Sequence, residues 1–168
     1  MKTISITGPE SSGKTTLAIG LSKLLKESFV KEYSRKYLNK KKKYTIKDLN
    51  IIAIKQLKKI TEAESKTNNF LITDTSIIDI QIWSEIKYNK CNNKIKFKAN
   101  KECFDYYLLC KPDFPWVKDS LRENPDKRNE IFNAFINALN KKKANYTIIK
   151  GNPLNRLKSA LSFIKKKL

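Results

Sequence analysis

The sequence predicts an α/β fold in which a parallel sheet is covered by helices on both faces. Three observations carry that reading. Gly8-Pro9-Glu10-Ser11-Ser12-Gly13-Lys14-Thr15 has the form G-x-x-x-x-G-K-[ST], the phosphate-binding P-loop, set between a short apolar strand and a helix. Five short apolar segments alternate with longer segments of helical period. Two of the five run into a carboxylate, Glu32 and Asp74, at the edge where α/β sheets bind ligands.

Each element has its own signal. Residues 2–7 read as a buried strand, and residues 16–26 as a helix with Leu17, Leu21, Leu24 and Leu25 at helical spacing. In the loop between them, backbone N–H groups wrap phosphates at a helix N-terminus, Lys14 reaches the β/γ-phosphates and the Thr15 hydroxyl holds Mg²⁺. Gly8 and Gly13 supply conformations that a Cβ would obstruct. Residues 28–31 form the second strand. Glu32 after it is either an acceptor-binding group or general base, or a surface partner of a lysine. Residues 36–44 are lysine-rich and expected to be exposed. Thr45 and Asp48 form a capping box for a helix to about residue 66, in which Gln56 is expected to face solvent.

Residues 70–74 are the third strand, and its terminal Asp74 fits a carboxylate placed near Mg²⁺. Residues 75–88 are helical, with Trp83 readable as core or as a stacking platform. A polar connection over 91–98 and a short helix to about 104 precede the fourth strand, 106–110. Pro112 and Pro115 force the chain out of regular structure. The charged segment that follows, with the prolines a lid of about 112–128, carries Arg122 and Arg128. It is either a phosphate-closing lid or a salt-bridged surface loop. A helix, a fifth strand at 146–149 and a helix over 154–166 complete the chain; Arg156 either stacks on a purine or is an ordinary helix residue.

Composition bounds the partners. The length of 168 residues fits one domain, 1–168, with no linker or repeat, no apolar run that spans a bilayer and no signal peptide expected. Three cysteines without C-x-x-C spacing suggest reduced thiols and a cytoplasmic location. No histidine is present, which excludes every mechanism that needs imidazole. The formal charge of +20 fits a drift towards Lys and Asn, with the lysine runs at 40–43, 141–143 and 165–167 expected at solvated element ends. Neither a specific nucleic-acid partner nor a membrane is expected, though salt-sensitive adsorption is. Only Arg35, Arg122, Arg128 and Arg156 are arginines among 36 basic residues, so they mark places that need a planar fork.

Ile6 to Thr16, Glu32-Tyr33-Ser34-Arg35, Asp74-Thr75, the run from Pro115-Trp116-Val117-Lys118-Asp119 through Leu121-Arg122, and Arg128 together resemble one family, in order and spacing over nearly the whole chain. That family is the ribosylnicotinamide kinase domain of the bacterial NAD biosynthesis/regulator protein and its stand-alone relatives. The resemblance implies a nucleoside-monophosphate-kinase-like P-loop NTPase with strand order 2-3-1-4-5. It implies phosphorylation of nicotinamide riboside to its mononucleotide by ATP and Mg²⁺ in NAD salvage. Gly8, Glu10, Ser11, Ser12, Gly13, Lys14, Thr15, Thr16 and Arg156 are then expected at the nucleotide, and Thr15 and Asp74 at the metal. Glu32, Tyr33, Arg35, Asp74, Trp116 and Asp119 are expected at the acceptor, with Glu32 as base, Asp74 as the alternative base, and Arg122 and Arg128 in the lid. The chain departs from the family at Ser76, where a second acid often follows the Asp-Thr pair. The adenylyltransferase signature needs histidines, so neither that domain nor a DNA-binding regulatory domain is expected. A GTPase would need D-x-x-G and N-K-x-D, which are missing. The other reading is a nucleotide-binding ATPase or regulatory module, or a kinase for another nucleoside or small metabolite.

Overall fold

The computed structural model describes residues 1–39, 41, 43–119 and 121–166; Lys40, Lys42 and Lys167 of the lysine runs, and Ser120, lie outside the described residues. The elements run β1 (Lys2–Thr7), α1 (Lys14–Leu25), β2 (Phe29–Val30), α2 (Tyr33–Leu38), α3 (Ile46–Glu64), β3 (Phe70–Asp74), α4 (Ile77–Tyr88), α5 (Asn93–Lys101), β4 (Tyr106–Cys110), α6 (Arg128–Lys141), β5 (Tyr146–Ile149) and α7 (Pro153–Lys165). The strands form one parallel sheet in the order β2-β3-β1-β4-β5, as expected.

Register brings the chemistry to one edge. Ile6 of β1 lies opposite Asp74, and Thr7 lies opposite Leu109. The turn after β1 therefore sits beside the carboxylate that ends β3. Strand side chains alternate between the two faces. Tyr106, Leu108 and Cys110 join Ile4, Ile6, Leu17 and Leu21 in one core, while Tyr107 and Leu109 join Leu71, Phe132 and Leu139 in another. A third cluster, including Leu38, Leu49, Ile52, Ile77 and Ile80, packs α2, α3 and α4 together. Each fully buried Leu or Ile contributes about 1.5–3 kcal/mol, which holds the edge rigidly.

Four local expectations need correction. Tyr33–Leu38 is helical, and residues 36–38 of the run expected to be exposed at 36–44 belong to it, because Leu38 is buried in the third cluster and Tyr33 lies 6.0 Å from Tyr37, ring to ring. The helix α5 starts within the expected polar connection, because the Asn92 side chain accepts from Lys94 N at 2.8 Å and caps it. Gln56 is 1% exposed rather than solvated; its Oε1 accepts from Tyr33 N at 2.8 Å and its Nε2 donates to the Thr75 carbonyl at 3.2 Å. Lys142 is half-buried, and its ammonium donates to the Ala99 and Asn100 carbonyls at the end of α5.

Glu102 closes α5 and accepts from Ile77 N with both oxygens, at 3.0 and 3.1 Å. Burial, with Asp79 nearby, pushes its carboxyl from the ordinary 4.5 up to about 7. A folded-state acid with a raised pKa binds its proton more tightly than the unfolded chain does, so stability falls as pH rises from about 4.5 to about 7. Thermal denaturation should show a falling Tm over this range, and Glu102→Gln should flatten the fall. An unchanged slope in that variant would show that Glu102 does not titrate with folding.

Candidate active site

The loop between β1 and α1 is clamped from below. The chain turns at Gly8, with φ of 136°, and a Cβ there would lie 2.6 Å from the Cys110 carbonyl oxygen of β4. Gly13 has φ of 80°, and its Cβ would meet the Phe114 ring at 2.8 Å. No larger residue fits either position without moving backbone or ring. Ser11, with φ of 54°, gives the loop a further left-handed residue. The loop's own carbonyls are covered by donors. Ser12 Oγ donates to Pro9 O at 2.7 Å, and Lys14 Nζ donates to Gly8 O and Pro9 O at 2.7 and 2.9 Å.

Arg156 completes that cover. It is 2% exposed; Nη1 donates to Ser12 O at 2.6 Å, Nε to Gly151 O at 2.8 Å and Nη2 to Lys111 O at 2.8 Å. Asp113 pairs with Nη2, and the Phe114 ring covers the guanidinium at 4.3 Å. Its surface is therefore taken up by protein, so it pins the loop, β4 and the turn before α7 together. Neither role expected from the sequence describes this.

Carboxylates gather at the sheet edge. Thr15 Oγ1 donates to Asp74 Oδ2 at 2.7 Å, and Asp74 Oδ1 is buried without a partner. Burial raises the Asp74 pKa, opposed by Thr15, Lys14 and Arg35. Thr75 follows with φ of 79°, strained for a β-branched residue, and its hydroxyl is unpaired. Glu32 accepts from Ser34 Oγ and pairs with Arg35 at 3.4 Å. Arg35 Nη1 also holds Asp119 Oδ2 at 2.9 Å, with Arg122 Nε 3.5 Å from the same oxygen. Glu32, Arg35, Asp119 and Arg122 thus form one charge chain from β2 to the segment between β4 and α6.

That segment has no helix or strand among its described residues. It is fastened to the loop by Glu10 and Ser11. Glu10 accepts from Trp116 Nε1 at 3.1 Å, Glu123 N at 3.0 Å and Asn124 N at 2.6 Å. Ser11 Oγ accepts from Val117 N at 3.2 Å, and Arg128 Nη1 donates to Ser11 O at 3.4 Å and Phe114 O at 2.9 Å. Arg122 Nη1 donates to Val117 O at 2.7 Å. The sequence singled out Glu10 only as a loop residue; its grip on the segment had no signature.

A cavity of about 200 Å³ joins these parts. Its lining combines the loop from Gly8 to Thr16 with Glu32, Arg35, Asp79, Trp83 and Arg122. Trp83 is half-buried, donates to Tyr44 Oη at 3.0 Å and lines the cavity, so it serves packing and the wall together. Asp79, Thr75 and Asn124 line it too and were not singled out from sequence. A second, apolar groove of about 330 Å³ runs beside Gly13 and Thr16, lined by Leu17, Ile19, Phe114, Pro153, Leu154 and Leu157 among others. Of the expected acceptor residues, Tyr33 contributes its backbone N–H to Gln56, and Trp116 and Asp119 are held by Glu10 and Arg35 respectively.

Residues 3–156 match the model of a family described as an AAA domain, and the chain belongs to that family. It is 26% identical over 127 residues to the trifunctional NAD biosynthesis/regulator protein NadR of Salmonella typhimurium, covering 73% of this chain and 31% of that protein. The chain thus spans about a third of the length of this relative. A crystal structure of NadR protein in complex with NR superimposes with a TM-score of 0.77 at 17% identity, over 98% of this chain and 51% of that one. Deoxyadenosine kinase from M. mycoides with bound dATP superimposes with a TM-score of 0.68 at 16% identity, over 98% and 100%. These structural likenesses establish the fold. Among the described residues, no helix is long and apolar enough to cross a membrane.

The Arg156 pin has a measurable consequence. Arg156→Met leaves the Ser12, Lys111 and Gly151 carbonyls without this donor and Asp113 without its partner. The Asp113 carboxylate stays open to solvent, so the cost is that of the lost charged hydrogen bonds, about 1.5–3 kcal/mol, a fall in Tm of roughly 3–12 °C for a chain of this size. A denaturation curve within about 1 kcal/mol of the parent would show that the loop stands without it.

Proposed function

We propose that this member of the AAA-domain family is an ATP-dependent nucleoside kinase and that nicotinamide riboside is its acceptor. The observation that carries the reading is the shared cavity, lined by a phosphate loop together with Glu32, Arg35 and Trp83. A protein that only bound a nucleotide would not need Glu32, Arg35 and Trp83 to share a cavity with the phosphate loop. The likeness to NadR, to its complex with NR and to a deoxyadenosine kinase supports the same reading.

In this reading catalysis is mostly positioning and charge neutralisation. The loop amides hold the phosphates, and Lys14 leaves the Gly8 and Pro9 carbonyls for the β/γ-phosphates. The groove beside Thr16 takes the adenine, and Arg156 acts on the nucleotide through the loop it pins. Thr15 and Asp74 fit Mg²⁺, because a buried carboxylate oxygen without a partner suits an ion that takes its other ligands from phosphates and water. Bound there, Mg²⁺ supplies charge neutralisation at the transferring phosphoryl group. Glu32 lines the cavity, whereas Asp74 is 2% exposed with Oδ2 on Thr15; Glu32 is therefore the group that accepts the 5′-hydroxyl proton. Tyr33, Trp116 and Asp119 shape the acceptor side. Residues 112–128 act as the lid, and Arg122 and Arg128 bring their guanidinium forks to the phosphoryl group.

ADP formation measured with MgATP and a panel of nucleosides tests the reading. Nicotinamide riboside should stimulate it, and Lys14→Ala should abolish that stimulation, because removing a preorganised charge costs roughly 3–4 kcal/mol in the transition state. Turnover of a different nucleoside alone would keep the kinase and change its acceptor. ADP release that no acceptor stimulates would favour the ATPase, and no ADP release at all the binding module.

Arg122→Lys keeps the charge but loses the fork that holds Val117 O and approaches Asp119. Steady-state kinetics should show kcat lower by about 10–10³-fold, by analogy with other preorganised donors. A kcat near the parent's would remove Arg122 from the transferring group.

A further inference from the structure

We propose that Asp79 is an acid of the acceptor site and that its free oxygen Oδ1 receives a sugar hydroxyl of the acceptor nucleoside. This deepens the kinase reading and rests on it.

The chain contains an internal control. Two helices begin with the same capping box, Thr45 with Asp48 on α3 and Ser76 with Asp79 on α4. Both aspartates are 9% exposed. In the first box, Asp48 Oδ2 accepts from Thr45 N and Oγ1 at 2.8 and 2.9 Å, and Oδ1 accepts from Tyr37 Oη at 2.9 Å and from Lys41. Every oxygen is used, and Lys41 holds this carboxyl well below the usual range. In the second box, Asp79 Oδ2 accepts from Ser76 N and Oγ at 3.0 and 3.2 Å, but Oδ1 is buried with no hydrogen bond, and the Thr7 hydroxyl, which acts on this carboxylate, is likewise left unpaired. Capping needs only one oxygen. A buried acceptor without a donor is destabilising, so a helix cap does not account for the second one.

Asp79 lines the same cavity as the loop and Glu32. Ser76 fixes the carboxylate through both its N–H and its hydroxyl, which gives Oδ1 a defined direction. The residue at position 76 thus orients an acid one turn further on. The chemistry selects the ligand. A phosphate oxygen would repel a carboxylate. A hydrated cation fits poorly among Ile80, Ile82, Ile86, Ile131 and Phe135, which share this lining. An uncharged hydroxyl offers the one donor that Oδ1 lacks, and a nucleoside carries two besides the reacting one. Burial pushes the Asp79 carboxyl up to about 6, opposed first by Lys14, which keeps it an acceptor near neutral pH.

The experiment compares the parent with Asp79→Asn on a ribonucleoside and on its 2′-deoxy and 3′-deoxy analogues. The Asn side chain keeps an oxygen for the Ser76 cap and loses the free acceptor. For the ribonucleoside, kcat/KM should fall about 10–10²-fold, the range of a hydrogen bond to a charged group. For one of the two analogues it should change less than about threefold, and the Kd of a non-hydrolysable ATP analogue should stay at the parent value. Asp79→Ser, which also leaves a cap acceptor, should discriminate in the same way and serves if the Asn variant does not fold. Asp48→Asn should lower Tm without changing the ratio between acceptors. An equal loss on all acceptors, no loss, or a loss confined to the ATP analogue would overturn the role of Asp79. A parent that phosphorylates no ribonucleoside would instead overturn the kinase reading.

Discussion

A loop that turns its amides towards an anion must turn its carbonyls into the protein, and those carbonyls then need donors. The structure from Gly8 to Thr15 is organised by that requirement. Lys14 takes the Gly8 and Pro9 carbonyls, the Ser12 hydroxyl takes Pro9 again, and Arg156 takes Ser12. Arg128 takes Ser11 from the far side. Of these, Arg156 is the deepest and anchors three separate stretches, so the loop's shape depends on a helix that begins nearly 140 residues later. The glycines make the close approach available; the donors keep it in place.

Arginine use follows from the same geometry. In a chain where lysine supplies most of the 36 basic residues, three of the four arginines engage partners through more than one guanidinium nitrogen, while Arg128 makes both its bonds through Nη1. Arg35 spans Glu32 and Asp119; Arg122 reaches Val117 and Asp119; Arg128 bridges Ser11 and Phe114; Arg156 bonds three carbonyls and a carboxylate. All four lie at the loop, the cavity lining or the segment between β4 and α6. A field of +20 needs no particular geometry, whereas this network does.

The alternation of strands and helices, the loop and the carboxylate at the end of β3 are legible because each rests on local pattern: apolar runs, a glycine spacing, a strand that stops at an acid; the strand order follows only from the family resemblance. What escaped depends on tertiary partners. Residues 36–38 read as the start of a lysine-rich surface because the burial of Leu38 comes from α3 and α4 rather than from its own period. Gln56 looked solvated because a polar residue on a helix usually is, but its amide ties the start of α2 to the Thr75 carbonyl. Ser76 and Asp79 spell the same capping box as Thr45 and Asp48; only the fold shows that one box is complete and the other leaves an oxygen free.

Stability is distributed to match these roles. The loop is enclosed by a sheet edge, two close glycine contacts and a buried guanidinium, and all of these resist local opening. The segment from β4 to α6 is different. Most of its bonds to the loop run to two residues, Glu10 and Ser11, and Val117 within it is 59% exposed. Regions with few buried apolar contacts and exposed hydrogen bonds open at the low end of the free-energy range. Glu10 therefore joins the yielding segment to the fixed loop. It sits on the rigid partner, its three bonds go to the yielding one, and releasing them leaves the Arg156 pin intact.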